Sequence, residues 1–288
     1  MGELAVGDIP AFPFPPSMAL VLAVWLLAVG GAVGSFLNVV VYRLPRGMSL
    51  VTPGSHCPLC KHPIRWYDNV PVFGWFLLRG RCRDCRTSIS FRYPLIEAVT
   101  AVLFLTVAAA DGRAAAAGES LGTMAGLAAS HGTLLATLLA AALIRYDGQP
   151  LPPRLFVPAI VVGLLAAAAW PDLYPRPFVR GLAGPMGGWM EGVAGAVAGL
   201  LLGHAARWSV GPREGRELPH GLGVAGLFLG GQAILALGLL VVAIHATIQA
   251  LKTWRPALQR TSPGLWLFVL AWAWILAWPP LAERFQMP

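Results

Sequence analysis

Seven long apolar stretches, separated by short polar segments, dominate the hydropathy pattern of this chain. The first, residues 18–41, has 24 residues, enough to cross a hydrocarbon core at ~1.5 Å per residue. A glycine pair, Gly230 and Gly231, interrupts the sixth stretch, which is either one helix or two shorter helices that return to the starting side. The pattern therefore predicts an all-α polytopic membrane protein with seven or eight transmembrane helices. The other six stretches cover about residues 94–110, 121–144, 155–170, 189–203, 223–248 and 263–281.

The composition supports a membrane protein. Hydrophobic residues make up 57% of the chain and charged residues only 12%, about half the charged share of a soluble domain. The surplus apolar surface is expected to face lipid. Residues 1–42 contain no lysine or arginine, so the positive segment that begins a secretory signal peptide is missing. The first stretch is therefore predicted to be a retained helix.

The basic residues predict the orientation in the membrane. Loops 42–93, 145–154 and 204–222 hold nine, two and three lysines and arginines, whereas the opposite loops hold only Arg113, Arg176 and Arg180. By the positive-inside rule the first three loops are cytoplasmic. A further basic cluster at 252–260 would also prefer the cytoplasm, which favours eight helices over seven. The same clustering in short loops argues against nucleic acid as the partner of this chain, despite its net charge of +8.

Ionisable side chains within the predicted helices are few. Each would be costly at the centre of a bilayer, so the simplest interpretation is that they lie near an interface or face a neighbouring helix. They are Glu97, Glu191, His204 and His245.

All four cysteines lie in the first cytoplasmic loop, as two C-x-x-C pairs with 21 residues between them. This spacing is typical of two knuckles that complete a tetrahedral, all-sulfur zinc site. Disulfide bonds are the alternative, but a cytoplasmic loop lies in a reducing compartment. Four sulfur ligands leave no open position, so the predicted zinc is structural. The predicted metal ligands are Cys57, Cys60, Cys82 and Cys85.

The loop of residues 43–93 is too short to bury a large apolar core, so metal ligation would supply much of its stability. It is therefore predicted to be a small cytoplasmic zinc-binding domain, with flanking helices over about 18–110. Five arginines lie close to the second knuckle. They are predicted to fix the orientation of the loop in the membrane, and an additional contact with anionic lipid headgroups is the alternative. They are Arg79, Arg81, Arg83, Arg86 and Arg92.

Several ordered strings around this loop resemble the N-terminal domain of bacterial prepilin peptidases, the leader peptidase/N-methyltransferases of type IV pilus and type II secretion systems. The match covers about residues 34–100. The strings are GSFLNVVVYRLP at 34–45, HCP at 56–58, DNVPV at 68–72, RGRC at 79–82 and RYPLIE at 92–97. The resemblance implies a multi-pass protein of the bacterial inner membrane, with prepilin or pseudopilin N-terminal segments as partners.

The resemblance also implies an intramembrane aspartyl protease in the remaining part, residues 111–288, where two aspartates would share a proton. Aligned without gaps, Arg145 stands at the first aspartate position, and Asp147 matches an acidic position two residues later. Anchoring the second motif on residues 226–232 puts Leu218 at the other position; anchoring on 221–223 puts Val224 or Gly226 there. Neither register yields an aspartate, so this domain is predicted to have degenerate aspartate motifs.

Three functions follow from the resemblance. The resemblance implies an active peptidase that uses a displaced pair, Asp147 and Glu217, a non-catalytic relative that binds or regulates prepilins, or a methyltransferase that uses S-adenosylmethionine. Asp147 lies roughly 200° round a helix from position 145, which disfavours the displaced pair. The simpler interpretation makes Asp147 a solvated turn residue and Glu217 a loop charge. S-adenosylmethionine is implied by resemblance only, since the chain has no glycine-rich nucleotide-binding string.

Overall fold

The structure, a computed structural model, describes residues 15–114, 121–170, 173–174, 184–211, 215–251 and 262–284. Within these residues it is helical, with no β-strand. Five helices (α1, α3, α4, α6 and α7) are long and apolar enough to cross a membrane, α5 and α8 are shorter apolar helices, and α2 is a short helix in the cysteine loop. The helices are α1 (Pro16–Arg43), α2 (Phe73–Leu77), α3 (Arg92–Ala114), α4 (Leu121–Tyr146), α5 (Val157–Ala169), α6 (Gly184–Val210), α7 (Leu218–Leu251) and α8 (Pro263–Arg284).

Each of the seven predicted stretches corresponds to one of these apolar helices, so the predicted fold class is confirmed. The boundaries differ by a few residues, most at α6, which begins five residues before the predicted stretch and ends seven after it. Of the basic residues used to predict orientation, Arg176, Arg180 and the 252–260 cluster lie outside the described residues, as does the side chain of Arg113.

Close backbone contact joins α6 to α7. A Cβ atom at Gly226 would lie 2.0 Å from the Gly195 carbonyl oxygen, and one at Gly199 would lie 2.1 Å from the Leu222 carbonyl oxygen. Glycine is therefore required on both sides of this interface. Small residues allow such approach between helices in lipid, where dispersion contacts replace the hydrophobic effect as the driving force.

Helix α7 bends sharply at Gly230, whose φ of 78° and ψ of 173° are not helical. The first half of α7 runs antiparallel to α6, from Pro219 beside Gly203 towards Gly226 beside Gly195. The second half comes back towards the starting level, because Gly238 lies against Leu202. The start of α8 confirms this direction, since the Gly264 amide lies 2.9 Å from a carboxylate oxygen of Glu217, just before α7.

The bend at Gly230 therefore makes α7 a helical hairpin, which is the second of the two alternatives left open by the sequence. Its 34 residues exceed the roughly 20 that one crossing needs. With α7 counted as two segments, the described helices form eight apolar segments. The end of α4 and the starts of α3, α7 and α8 consequently lie on the same side of the molecule as the cysteine loop.

We expect Gly226→Ala to destabilise the protein by about 1–3 kcal/mol, because the added methyl group overlaps the backbone of α6. Thermal unfolding of the detergent-solubilised protein would measure the loss. Gly54→Ala is the matched control, because a Cβ atom at Gly54 meets nothing within 4 Å. Equal unfolding temperatures for the two variants would contradict the proposed packing.

Candidate functional site

The cysteine loop folds as two similar knuckles. In the first, the Cys57 amide donates to the His62 carbonyl at 2.9 Å; in the second, the Cys82 amide donates to the Thr87 carbonyl at 2.8 Å. The residue four places after the first cysteine has a left-handed φ of 61° in both knuckles. Each C-x-x-C string thus turns tightly enough to present both of its sulfur atoms on one side.

The four sulfur atoms form one cluster. The Sγ atoms of Cys57 and Cys85 are 3.7 Å apart, those of Cys60 and Cys82 are 4.0 Å apart, and all four lie within 4.8 Å of one another. A tetrahedral ion with bonds of about 2.3 Å places its sulfur ligands about 3.8 Å apart. The cysteines are free thiols. The donor set therefore fits a tetrahedral metal ion.

The electrostatics of the cluster also favour a cation. The amides of Cys60 and Leu59 lower the pKa of the Cys57 thiol to about 6. At Cys60 the His62 amide favours the thiolate, but desolvation and the neighbouring sulfur atoms outweigh it and raise the pKa to about 12. Ionisation of Cys57 thus opposes ionisation of Cys60. A divalent cation removes this conflict, because it offsets the charge of every thiolate bound to it.

An ion pair ties the second knuckle to the segment before α2. The Arg83 guanidinium donates to Asp68 at 2.7 Å and lowers the pKa of that carboxyl, and Arg65 donates to Asp84 at 3.1 Å. These contacts fold the middle of the loop back on the cysteine cluster. Two of the five arginines that were predicted to fix the membrane orientation, Arg83 and Arg92, therefore also form ion pairs.

The first and last strings of the loop meet where α1 packs on α3. A Cβ atom at Gly34 would lie 2.7 Å from the Glu97 Cα atom, and the Asn38 amide donates to the Tyr93 carbonyl at 3.3 Å. The Glu97 carboxylate accepts the Val72 amide at 2.7 Å. Glu97 thus faces a neighbouring segment, as expected for an ionisable residue inside an apolar helix, and fixes the loop against the two helices.

An arginine in the last turn of α4 and a glutamate just before α7 form an ion pair. Arg145 Nε lies 2.8 Å from Glu217 Oε2, and the Gly264 amide donates to Glu217 Oε1 at 2.9 Å. The Glu217 side chain is only 4% exposed, whereas a loop charge would be solvated. This ion pair joins the start of α7 to the end of α4 and the start of α8.

The other acidic candidate in this region, Asp147, binds a different arginine. The Arg92 guanidinium donates to both carboxylate oxygens of Asp147, and the distance from Nη2 to Oδ2 is 2.9 Å. Asp147 is therefore held towards α3 at the edge of the cysteine loop. Leu218, which one of the two registers predicts for the second aspartate position, is fully buried.

Two further polar contacts lie on the other side of the bundle. His131 on α4 lies 2.9 Å from a carboxylate oxygen of Asp111 on α3, a pair that was not predicted from the sequence. Glu191 on α6 accepts the Gly231 amide at 3.3 Å, and so provides a partner for a backbone group exposed by the bend in α7. No local sequence signal marks the first pair, because its members are 20 residues apart in the chain.

Comparison with known proteins decides the family. Residues 28–110 match the Bacterial Peptidase A24 N-terminal domain. The prepilin leader peptidase/N-methyltransferase of Burkholderia pseudomallei (strain 1026b) is 32% identical over 290 residues, which cover 90% of this chain and 85% of that protein. The chain belongs to the prepilin leader peptidase/N-methyltransferase family. The namesake of Klebsiella pneumoniae is 36% identical over 223 residues, or 73% of this chain and 86% of that protein.

The share of each relative that this chain matches varies. The prepilin leader peptidase/N-methyltransferase of Myxococcus xanthus is 39% identical over 145 residues, but the match covers 50% of this chain and only 40% of that protein. No solved structure matches the chain. The matched domain, residues 28–110, contains α1 from Ala28 onward, the cysteine loop and most of α3.

We expect Arg145→Ala to destabilise the protein by about 3–5 kcal/mol, because it leaves the buried Glu217 carboxyl without its guanidinium partner. The double variant Arg145→Met/Glu217→Met should recover most of this loss, since no charge then remains buried. Chemical unfolding in detergent measures both effects. Arg92→Ala is the matched control, because its pair with Asp147 is more exposed and is expected to contribute about 0–1 kcal/mol. An Arg145→Ala loss no larger than that of Arg92→Ala would disprove the buried ion pair.

Proposed function

We propose that this chain is a non-proteolytic member of the prepilin peptidase family, which binds prepilin or pseudopilin N-terminal segments in the bacterial inner membrane without cleaving them. The observation that carries the proposal is the ion pair between Arg145 and Glu217. By resemblance, the family's two catalytic aspartates belong at the C-terminal end of α4 and at the N-terminal end of α7.

The chemistry of an aspartyl protease needs two carboxyl groups that share a proton, so that one activates water while the other protonates the leaving group. An arginine cannot serve in either role, because it stays protonated near neutral pH. Burial raises the pKa of the Glu217 carboxyl, while the Gly264 amide and the charge of Arg145 act in the opposite direction. Both oxygens of Glu217 already accept hydrogen bonds, one from Arg145 and one from Gly264.

The alternative is an active peptidase in which Asp147 and Glu217 form the displaced pair. It would require both carboxylates to leave their arginines, Arg92 and Arg145, and to meet each other. Each separation would leave a guanidinium without its carboxylate. These contacts therefore support the non-proteolytic proposal over the displaced pair.

The test of the proposal is cleavage of a prepilin peptide by the purified full chain in detergent. We expect no cleavage under conditions in which a relative that carries both aspartates cleaves the same peptide, while the chain still binds the peptide. Asp147→Asn and Glu217→Gln should leave this result unchanged, and Asp84→Asn, in the cysteine loop, is the control. Cleavage that is lost in Asp147→Asn or Glu217→Gln but kept in Asp84→Asn would establish the displaced pair instead.

We further propose that the cysteine cluster holds a structural zinc ion. Cys57, Cys60, Cys82 and Cys85 would bind it, and the distances between their sulfur atoms support this ligand set. The ion would supply stability that the small apolar core of the loop lacks. The excess of basic residues supports a cytoplasmic location for the loop, where thiols stay reduced.

Metal analysis of the purified protein tests the zinc proposal. We expect about one zinc ion per chain in the wild type and almost none in the Cys57→Ser/Cys60→Ser variant, which keeps only half of the ligand set. His56→Ala is the matched control, since its ring contacts the Gly54 carbonyl in the same loop. Near-zero zinc in the wild type as well, in protein purified without chelators, would refute the proposal.

A further inference from the structure

A cleft lies between α1 and the segment that follows it. Its volume is about 350 Å³, within the roughly 300–1,000 Å³ of ligand pockets. One wall is a stripe of α1 residues spaced three or four apart, and the facing wall comes from residues 50, 51 and 53–55, with Asn69 and Pro71 at one side. The stripe consists of Ala32, Ser35, Phe36, Val39 and Arg43.

Arg43 is the charged residue that lines this cleft, and it is 92% buried. Its Nη1 atom donates to the Ser49 carbonyl at 3.1 Å. Among the described residues no carboxylate lies within ion-pair distance of Arg43. A guanidinium has five N–H donors, and a buried charge is costly without a counter-ion. The cleft therefore carries an uncompensated positive charge that an anion would neutralise.

Acidic groups near the cleft do not fill this role. Glu97 accepts hydrogen bonds from the Val72 amide and the Ser35 side chain, and it is not one of the residues that line the cleft. The ion pairs in the cysteine loop join Asp68 to Arg83 and Asp84 to Arg65. The counter-ion of Arg43 must therefore come from outside the described part of the chain.

The depth of the cleft indicates what kind of anion it meets. Pro71 packs against Gly31, 12 residues before Arg43 on α1 and inside the apolar span of that helix. The short helix α2 follows at once and exposes Phe73, Phe76 and Leu77. Apolar side chains exposed beside a transmembrane span are expected to contact lipid. This part of the loop thus lies beside the apolar span of α1.

We propose that the cleft binds a phospholipid with an anionic headgroup. Arg43 would bind the phosphate, which a guanidinium can contact through two parallel hydrogen bonds. The acyl chain would lie along the apolar part of the α1 stripe, where Phe36 is 51% exposed. Basic pockets at the membrane border are known sites for acidic headgroups. A lipid fits better than a soluble anion because most of the residues that line the cleft are apolar and the cleft extends along the apolar span of α1.

Lipid binding to the full chain in detergent tests this inference, with phosphatidylglycerol and phosphatidylcholine as probes and native mass spectrometry as the readout. We expect the wild type to retain phosphatidylglycerol over phosphatidylcholine, and Arg43→Gln to weaken phosphatidylglycerol binding about tenfold or more. Arg46→Gln is the matched control. It removes the same charge three residues away, from an exposed side chain that lies over the Tyr42 ring and outside the cleft.

Three outcomes would overturn the inference. Equal losses in Arg43→Gln and Arg46→Gln would mean that surface charge alone attracts the lipid. Displacement of the lipid by inorganic phosphate at equal concentration would mean that the cleft binds free phosphate. Loss of prepilin-peptide binding in Arg43→Gln, with lipid binding unchanged, would make the cleft a peptide site.

A second variant covers the case in which Arg43→Gln does not fold. Val39→Trp fills the cleft from the α1 stripe and keeps the arginine. Loss of phosphatidylglycerol binding in this variant supports the inference, and unchanged binding contradicts it. Lipid retention is measured without any cleavage assay, so it stands or fails separately from the proposed function.

Discussion

The contact of α6 with the first half of α7 depends on glycines that bring two backbones closer than any side chain would permit. Gly195 and Gly226 face each other across this contact, and Gly203 lies against Pro219 at its other end. Because the contact runs along the whole first half of α7, it fixes where that half begins and where it bends. The start of α7 carries Glu217, so the same packing determines which groups this carboxylate can reach.

The charged residues on the cysteine-loop side are arranged around arginines. Arg145 meets Glu217, Arg92 meets Asp147 and Arg83 meets Asp68, so acids from three parts of the chain are each neutralised by a guanidinium. Each of these acids already binds a guanidinium, whereas proteolysis by two carboxyl groups needs the two acids to face each other and share a proton. The pairs instead connect helix ends and loop segments, which is a structural role. Arg43 differs from these arginines, because it has no acidic partner among the described residues.

Much of the fold could be predicted from residue order alone. Seven apolar stretches became seven helices, because a run of about 20 apolar residues has few alternatives to a membrane helix. The cysteine cluster was predictable for a similar reason, since C-x-x-C spacing acts within a few residues. The sequence indicated an interruption at Gly230, but it did not predict the direction of the chain after it. That direction depends on how the second half of α7 packs against α6.

Sequence by itself determined the membrane class, the helices, the pairing of cysteines in two C-x-x-C strings and the absence of aspartate from the aligned positions, since each depends on local spacing or residue type. Only the tertiary structure decided that Glu217 is buried against Arg145, that Asp147 turns to Arg92 and that Arg43 lines a cleft. Arg145 and Glu217 are 72 residues apart in the chain, and Asp147 and Arg92 are 55 apart. Such pairings depend on how helices dock in three dimensions, and no local pattern specifies that docking.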